Sequence, residues 1–218
     1  ALTMYCFRFH SFISFFALTA ALKTILLHEL AKGSNAAIQL YGTGGAGTSS
    51  SFLYDIDKDT GVSPVIGPVV TVSGDQVTVN GLTCDPTDET FLYGHTSRLS
   101  PNSPNSLLKI NRTTGVATVI GGPPTTCGGA LAGLAADNTG QLYSWCEAGD
   151  RLVTIDKITG VDAFAGADPN IDTYSHGYAF DDSNVMHFLN GDGRHYTIDT
   201  STGLATNVGS PGLPYPVS

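Results

Sequence analysis

The chain has 218 residues, of which only 13% are charged, and its net charge at pH 7 is -9. This length suits one domain with its own core, while the acidic balance excludes the basic stripe that phosphate binding needs, so we expect no nucleic-acid partner. With 26 glycines, 11 prolines and no long helical periodicity after residue 35, the composition favours an all-β protein of short strands.

Residues 1–35 differ in composition from the rest of the chain. Aromatic residues recur at every second position from Tyr5 to Phe9, the period of a β-strand, and an almost wholly apolar run follows over residues 12–22. Three interpretations stay open: a secretory signal peptide or membrane anchor (residues 12–31), a segment retained for subunit assembly, and an internal core helix. We expect the second, because a phenylalanine-rich surface must be buried against a partner. The candidate assembly residues are Tyr5, Phe7, Phe9, Phe12, Phe15 and Phe16.

The remaining 183 residues contain one phrase, Ile-[Asp/Asn]-x-x-Thr-Gly-[Val/Leu], four times. Its Asp or Asn accepts backbone N–H bonds from residues further on, and its glycine takes the left-handed conformation that ends a turn. Strand-forming residues flank each copy, so each copy predicts a β-hairpin. The copies begin at Ile56, Ile110, Ile155 and Ile198, and a second glycine follows the first by six residues in each (Gly67, Gly121, Gly166, Gly209). Four copies in this register indicate a repeat protein.

Two further strands are predicted before the phrase in the later repeats. In the third repeat, Gly133–Asp137 predicts a strand that ends in a turn, and Leu142-Tyr143 begins the answering strand. The second repeat has Gly81–Asp85 and Phe91–Gly94, and the fourth has Gly177–Asp181 and Val185–Phe188. Each full repeat thus contains four strands in meander order, repeated every 40–50 residues or so, which is typical of a propeller blade.

The repeats lie at about residues 36–68, 69–123, 124–168 and 169–212, in one propeller-like domain over residues 36–218. The first repeat lacks an evident Gly-Leu-x-x-Asp strand. We expect residues 3–10, from the same chain or from a neighbouring copy, to supply its missing outer strand. Donation between copies would build a filament.

The combined pattern resembles extracellular propeller repeats of the NHL and strictosidine-synthase-like kind. It consists of Gly-Leu-Ala-x-Asp, then Leu-Tyr, then Leu-x-x-Ile-Asp-x-x-Thr-Gly and a later glycine. The resemblance covers about residues 36–212 and implies an all-β, propeller-like array of about four four-stranded blades. It implies no particular activity, since this fold hosts lactonases, scaffolds and ligand binders. These families usually have six blades, whereas four are predicted here. Three arrangements therefore stay open: the four blades close a ring alone, they are completed by another copy, or they belong to a longer chain.

The cysteines and one sequon indicate an oxidising, extracellular location. Cys127 and Cys146 flank a predicted hairpin and are candidates for a disulfide across its open end; Cys84 is then free or paired with Cys6. The spacings fit no zinc or redox motif. Asn111, in the sequence Asn-Arg-Thr, is a candidate glycosylation site, although the turn also requires these residues.

No catalytic or metal-binding set is evident in the sequence, and we expect no cofactor. Asp85, Asp137 and Asp181 stand at matching positions before a turn, which predicts turn capping. Lactonase-type propellers hold a metal with Glu, Asn and Asp side chains from several blades, but no Glu recurs at equivalent positions here. The histidines share no ligand spacing, so we expect them to be surface or packing residues (His95, His176, His187, His195).

The function predicted from these features is a secreted, non-enzymatic structural protein. It would be a subunit of an extracellular homopolymer or fibre, in contact with copies of itself through the N-terminal segment. The alternative is an extracellular ligand-binding or lactonase-like hydrolytic propeller with its site at the central channel.

Overall fold

The computed structural model of the protein describes residues 3–8, 38–44, 50–124, 126–173 and 177–210. These residues are all-β and form four small sheets arranged as a four-blade β-propeller, which confirms the predicted fold class. None of them belongs to a helix long and apolar enough to span a membrane.

The strands follow one another blade by blade along the chain. Blade one contains β1 (Thr3–Arg8), β2 (Ile38–Gly44), β3 (Phe52–Ile56) and β4 (Val65–Pro68). Blade two contains β6 (Val79–Asp85), β7 (Asp88–Thr96), β8 (Leu107–Asn111) and β9 (Val116–Gly121), with a short parallel strand β5 (Val70–Thr71) added at its outer edge. Blade three contains β10 (Leu131–Ala136), β11 (Leu142–Cys146), β12 (Arg151–Ile155) and β13 (Asp162–Phe164). Blade four contains β14 (Gly177–Phe180), β15 (Met186–Leu189), β16 (His195–Ile198) and β17 (Ala205–Gly209).

Blades two, three and four are antiparallel meanders, as the sequence predicted. Their first strands contact one another in succession, β6 with β10 and β10 with β14, and β1 contacts β6. These first strands are therefore the inner strands of the propeller, and the strands that follow the repeated phrase are the outer ones.

The inner strand of blade one differs from the others in direction. β1 runs parallel to β2, with Tyr5 opposite Leu40, whereas β6, β10 and β14 run antiparallel to the strands that follow them. The expectation that residues 3–10 supply the outer strand of blade one is therefore wrong, because β1 lies at the inner edge of the sheet. Strands β2, β3 and β4 correspond to the last three strands of the other blades, so the position left to fill is the inner one.

The repeated phrase forms the turn between the last two strands of each blade. Asp57 Oδ1 accepts hydrogen bonds from the Asp59 and Thr60 N–H groups at 3.0 and 2.7 Å, and Gly61 has φ of 73°. The Thr60 N–H bond lowers the pKa of the Asp57 carboxyl. Asn111, Asp156 and Asp199 make the same capping bonds in the other blades.

Three hydrophobic cores hold successive blades together. The first packs Leu53 of blade one against Leu92 of blade two, the second joins blades two and three, and the third packs Trp145 against Phe188 of blade four with ring centroids 4.6 Å apart. Burial of these side chains is the main stabilising term at each boundary. The described residues include no fourth core between blade four and blade one.

The second glycine of each of the first three repeats packs against the Thr-Gly turn of the next blade. A Cβ added at Gly121 would lie 2.8 Å from the Cα of Gly160 and even closer to the backbone oxygen of Thr159, so only glycine permits this approach. We call this the interblade glycine contact. It occurs at three boundaries, between Gly67 and Thr114, between Gly121 and Gly160, and between Gly166 and Gly203.

The two ends of the array lack this contact among the described residues. At Gly61, in the turn of blade one, and at Gly209, in the last strand, no atom lies within 4 Å of the place that a Cβ would occupy. The four repeats therefore form three boundaries through this contact. The turn of blade one and the second glycine of blade four are left without a counterpart among the described residues.

Candidate functional site

The three aspartates that precede the inner hairpin turns cap those turns, which confirms their predicted role. Asp85 accepts the Thr87 N–H at 2.8 Å, Asp137 accepts the Thr139 N–H at 2.9 Å, and Asp181 accepts the Ser183 N–H at 2.9 Å. Two of them have a second partner that the sequence analysis did not predict.

Asp85 also forms an ion pair with the next blade. Its Oδ2 lies 2.7 Å from Lys157 Nζ, although the two residues are 72 positions apart, and the Asp85 side chain is only 2% exposed. A buried carboxylate needs such a partner, because its desolvation is otherwise costly. The role of this pair is therefore structural, at the boundary between blades two and three.

Asp181 begins a chain of three hydrogen-bonded side chains in blade four. Its Oδ2 lies 3.1 Å from His187 Nε2, and His187 Nδ1 lies 2.9 Å from His195 Nε2. The two imidazole rings are nearly parallel, with centroids 5.1 Å apart. We call these three residues the blade-four histidine cluster; it brings together two histidines for which the sequence predicted only surface or packing roles.

The two histidines occupy positions that are apolar in the other three blades. His187 stands where the Leu-Tyr motif has tyrosine, and His195 stands where the third strand has leucine. In blades one to three these residues are buried in the core shared with the next blade (Tyr41, Leu53, Tyr93, Leu107, Tyr143, Leu152). The cluster thus lies on the face of blade four that points away from blade three.

The charges of the cluster follow from its surroundings. Burial alone would raise the pKa of Asp181, but hydrogen bonds from the Val185 N–H and from His187 bring it below its usual value. Burial lowers the pKa of His195, and the neighbouring His187 lowers it further. Near neutral pH the cluster therefore contains an ionised carboxylate and a neutral His195.

An acidic depression of about 400 Å³ lies at one end of blades three and four. It is formed by the β11–β12 turn and the β13–β14 connection, which place Asp150, Asp168, Asn170 and Asp172 around it. Asp150 accepts a hydrogen bond from Thr173, and Asp168 accepts the Asn170 N–H at 2.8 Å. No group of three or more His, Cys, Asp or Glu residues in the described part of the chain has an arrangement suited to a metal ion.

The cysteines take part in disulfides. Cys127 and Cys146 are joined, with Cα atoms 5.5 Å apart, which is the pairing that the sequence analysis expected. Of the two alternatives for Cys84, the free thiol is excluded, because Cys84 is disulfide-bonded and no described cysteine is free. Cys84 lies on β6, and β6 contacts β1, the strand that carries Cys6.

The other predicted site residues are only partly described. Asn111 is half-buried in its turn, where its Oδ1 accepts the Thr113 hydroxyl at 2.8 Å. Tyr5 and Phe7 lie on β1, but the structure does not describe their side chains. Phe9, Phe12, Phe15 and Phe16 lie outside the described residues, as does the candidate anchor over residues 12–31.

The fold and its repeated turns define a β-propeller protein. The structure is similar to a chain in a nidogen–laminin complex (TM-score 0.56, 14% identity, 78% of this chain and 62% of that one). It is also similar to a luciferin-regenerating enzyme (0.50, 14%, 82% and 65%) and to virginiamycin B lyase from Staphylococcus aureus (0.49, 13%, 84% and 60%). This chain thus spans less than two thirds of the length of each. No protein-family model and no curated protein matches the sequence.

These comparisons correct the prediction that the chain is not an enzyme. The luciferin-regenerating enzyme is an enzyme by name, and its structure shares the propeller architecture at a TM-score of 0.50. The prediction rested on missing sequence motifs, but this fold hosts enzymes and non-enzymes alike, with sites assembled from residues that are distant in sequence. The lack of a recognisable catalytic motif in a propeller sequence therefore does not show that the protein is not an enzyme.

Proposed function

We propose that the chain is a secreted structural subunit that assembles with copies of itself into an extracellular homopolymer or fibre. Subunits would exchange strand β1, so that the inner strand of blade one comes from a neighbouring copy. The observation that carries this proposal is the way β1 is connected. Residues 9–37 separate it from β2, whereas β6 and β7 are separated by only two residues, Pro86 and Thr87.

The connection between β1 and β2 is long enough for β1 to reach blade one of a neighbouring copy. Its 29 residues would span up to about 100 Å if extended, which exceeds the size of a small domain. The inner strands β10 and β14 are joined to their partners by turns of five residues, so they cannot leave their own blades without unfolding them. Parallel pairing also frees β1 from the hairpin geometry that the other inner strands require.

The free face of blade one favours the same surface for subunit contacts. Tyr41 and Leu53 point towards blade two, so alternation along the strands puts Tyr54 and Ile56 on the opposite face. None of the three described cores includes this face. On it Ile56 is already buried and Tyr54 is half-buried, whereas Phe52 is 41% exposed. A second chain that covers Phe52, the exposed apolar part of this face, would gain free energy.

A covalent version of the same contact would form if the disulfide that Cys84 makes within the chain formed between copies instead. Cys84 of β6 is disulfide-bonded, Cys127 and Cys146 bond each other, and Cys6 is the remaining cysteine of the chain. In an exchanged assembly, a bond between Cys6 of one copy and Cys84 of the next would link subunits covalently. This arrangement suits the oxidising environment outside the cell.

The proposal is tested by the mass of the native particle and by a gel run without reductant. We expect particles of many subunits, and a ladder of multiples of 22.7 kDa on the gel. The ladder should disappear in Cys84→Ser but persist in the double variant Cys127→Ala/Cys146→Ala. Deletion of residues 1–16 should leave folded, monomeric repeats. A wild-type protein that is monomeric by native mass and on the gel would overturn the proposal.

A second candidate function is ligand binding or hydrolysis at the acidic depression. The observation that favours it is the convergence of three carboxylates around a volume of about 400 Å³, large enough for a small organic molecule. Lactone and ester turnover, measured with and without divalent cations, tests it. Loss of turnover in Asp150→Asn but not in Asp192→Asn, a change outside the depression, would support this function; absence of turnover in the wild type would exclude hydrolysis of these substrates.

A further inference from the structure

We propose that the blade-four histidine cluster is a proton-operated switch on the face of blade four that points away from blade three. A hydrogen bond between the two imidazole rings closes the switch at neutral pH. The bond persists when the cluster binds one proton and breaks when it binds a second. The switch is independent of the proposed assembly function, since it involves neither β1 nor the free face of blade one.

The closed form follows from the hydrogen-bonding capacity of each group. Asp181 is ionised and can only accept, so the 3.1 Å contact with its Oδ2 requires a proton on His187 Nε2. In the neutral ring His187 Nδ1 then has no proton and accepts a hydrogen bond. The 2.9 Å contact between the rings therefore requires a proton on His195 Nε2, which is the donor.

One additional proton leaves this chain of hydrogen bonds intact. It binds to His195 Nδ1, and the resulting cation still donates from Nε2 to His187. Transfer of the proton between the facing nitrogens gives a second form of the same state, with the charge on His187 beside the Asp181 carboxylate. An opposite charge at this distance favours uptake of the proton, and the two rings bind it as a unit.

A second additional proton is incompatible with the closed form. Both facing nitrogens would then carry hydrogens, so two donors and two positive charges would meet at 2.9 Å. The rings must separate, and the side chain of His187, which is 35% exposed, can turn towards water. The closed form has one carboxylate and two neutral rings, whereas the open form has one carboxylate and two cations. Opening therefore reverses the net charge of the cluster.

The other titratable groups of blade four do not interrupt this chain. They lie on β14, on β16 and in the three turns of the blade (Tyr178, Asp182, Asp192, Arg194, Tyr196, Asp199). Both tyrosines belong to the third core, on the opposite face, and Asp192 pairs with Arg194 at 3.4 Å. β17 contains no titratable side chain. Among the described residues, His187 is the charged partner of both Asp181 and His195.

Nuclear magnetic resonance of the imidazole nitrogens in full-length, ¹⁵N-labelled protein tests the switch. At pH 7.5 we expect a scalar coupling between His187 Nδ1 and His195 Nε2 across their hydrogen bond. On acidification the pair should titrate in two steps more than about 1 pH unit apart, and the coupling should disappear only in the second step. Absence of the coupling at pH 7.5, or a single unlinked titration of each ring, would overturn the proposal.

The variant Asp181→Asn separates the charge of the carboxylate from its role in the turn. Asparagine Oδ1 can still accept the Ser183 and Val185 N–H groups, which Asp181 Oδ1 accepts at 2.9 and 2.8 Å. The first proton should bind at lower pH in this variant, because the opposite charge is lost. An unchanged first step would show that Asp181 takes no part in proton binding.

The variant His195→Leu is the matched control, because leucine is the residue of the other three blades at this position. Hydrogen exchange of the β15 and β16 amides, corrected for intrinsic rate, is compared at pH 7.5 and pH 4.5. Protection should fall about fivefold more in the wild type than in the variant, whereas the β8 amides of blade two should respond alike in both. An equal fall at β15 and β16 would contradict the switch. The resonance measurement on the wild type decides the question if the variant folds poorly.

Discussion

His95 shows how this fold determines the charge of a single side chain. It is fully buried on β7, and its Nδ1 has no hydrogen-bond partner among the described residues. Burial lowers its pKa from 6.5 to about 4, although the Asn105 backbone and the Asp162 carboxylate act in the opposite direction. His95 is therefore neutral in the folded protein down to mildly acidic pH.

The stability of the protein should fall in acid because of His95. Between pH 6.5 and pH 4 the unfolded chain binds a proton at His95 that the folded chain does not, so the free energy of unfolding decreases by about 3 kcal/mol over this range. Urea unfolding at pH 7 and pH 4.5 measures the loss. In His95→Gln the loss should be smaller by about 2–3 kcal/mol, and an equal loss in both proteins would contradict this account.

The histidine pair shows what residue-by-residue inspection of the sequence misses. His187 and His195 are eight positions apart, a spacing that matches no metal motif, because the hairpin turn at residues 190–194 brings them onto one face. A signal was nevertheless present in the sequence. Alignment of the four repeats puts both histidines at positions where the other copies have tyrosine and leucine, a substitution that the bare count of histidines does not reveal.

At the scale of the element, the sequence predicted the hairpins better than the inner strand of blade one. Turn chemistry is local, so the phrase of Asp or Asn, Thr and Gly specified all four outer hairpins. The place of β1 depends on parallel pairing across residues 9–37, and no local pattern encodes that pairing or its edge. For the same reason the ion pair of Asp85 and Lys157, which joins two blades, could not be predicted from either segment alone.

The disulfide that anchors β11 should contribute substantially to stability. Cys127 and Cys146 close a loop of 19 residues, for which the loss of chain entropy in the unfolded state corresponds to about 3 kcal/mol. The double variant Cys127→Ala/Cys146→Ala should lose roughly this much free energy of unfolding in urea. Wild-type protein whose Cys127 and Cys146 thiols are both free in mass mapping under non-reducing conditions would contradict the assignment.

At the scale of the whole molecule, the four blades form a linear series of like boundaries. Each boundary combines an apolar core with an interblade glycine contact, and the described residues contain three of each. Neighbouring blades then stabilise one another in sequence, as in other repeat proteins.

The glycine contact can be tested at the central boundary. Gly121→Ala would push a methyl group into the backbone of Thr159 and Gly160, so we expect a loss of about 1–3 kcal/mol in the free energy of unfolding. The matched control is Gly122→Ala, where nothing lies within 4 Å of the added carbon, and its effect should stay within about 0.5 kcal/mol. Equal effects of the two substitutions in thermal or urea unfolding would show that the contact does not matter.

The interblade glycine contact has a consequence for how such proteins change size. The turn of blade three receives the glycine of blade two, and the glycine of blade three packs on the turn of blade four. Tandem duplication of the gene segment that encodes blade three would therefore add a blade whose two sides already match their neighbours. Growth by whole blades then requires no new surface to evolve. Blade four is the exception, because its histidines would be trapped inside an internal boundary, so lengthening is expected upstream of it.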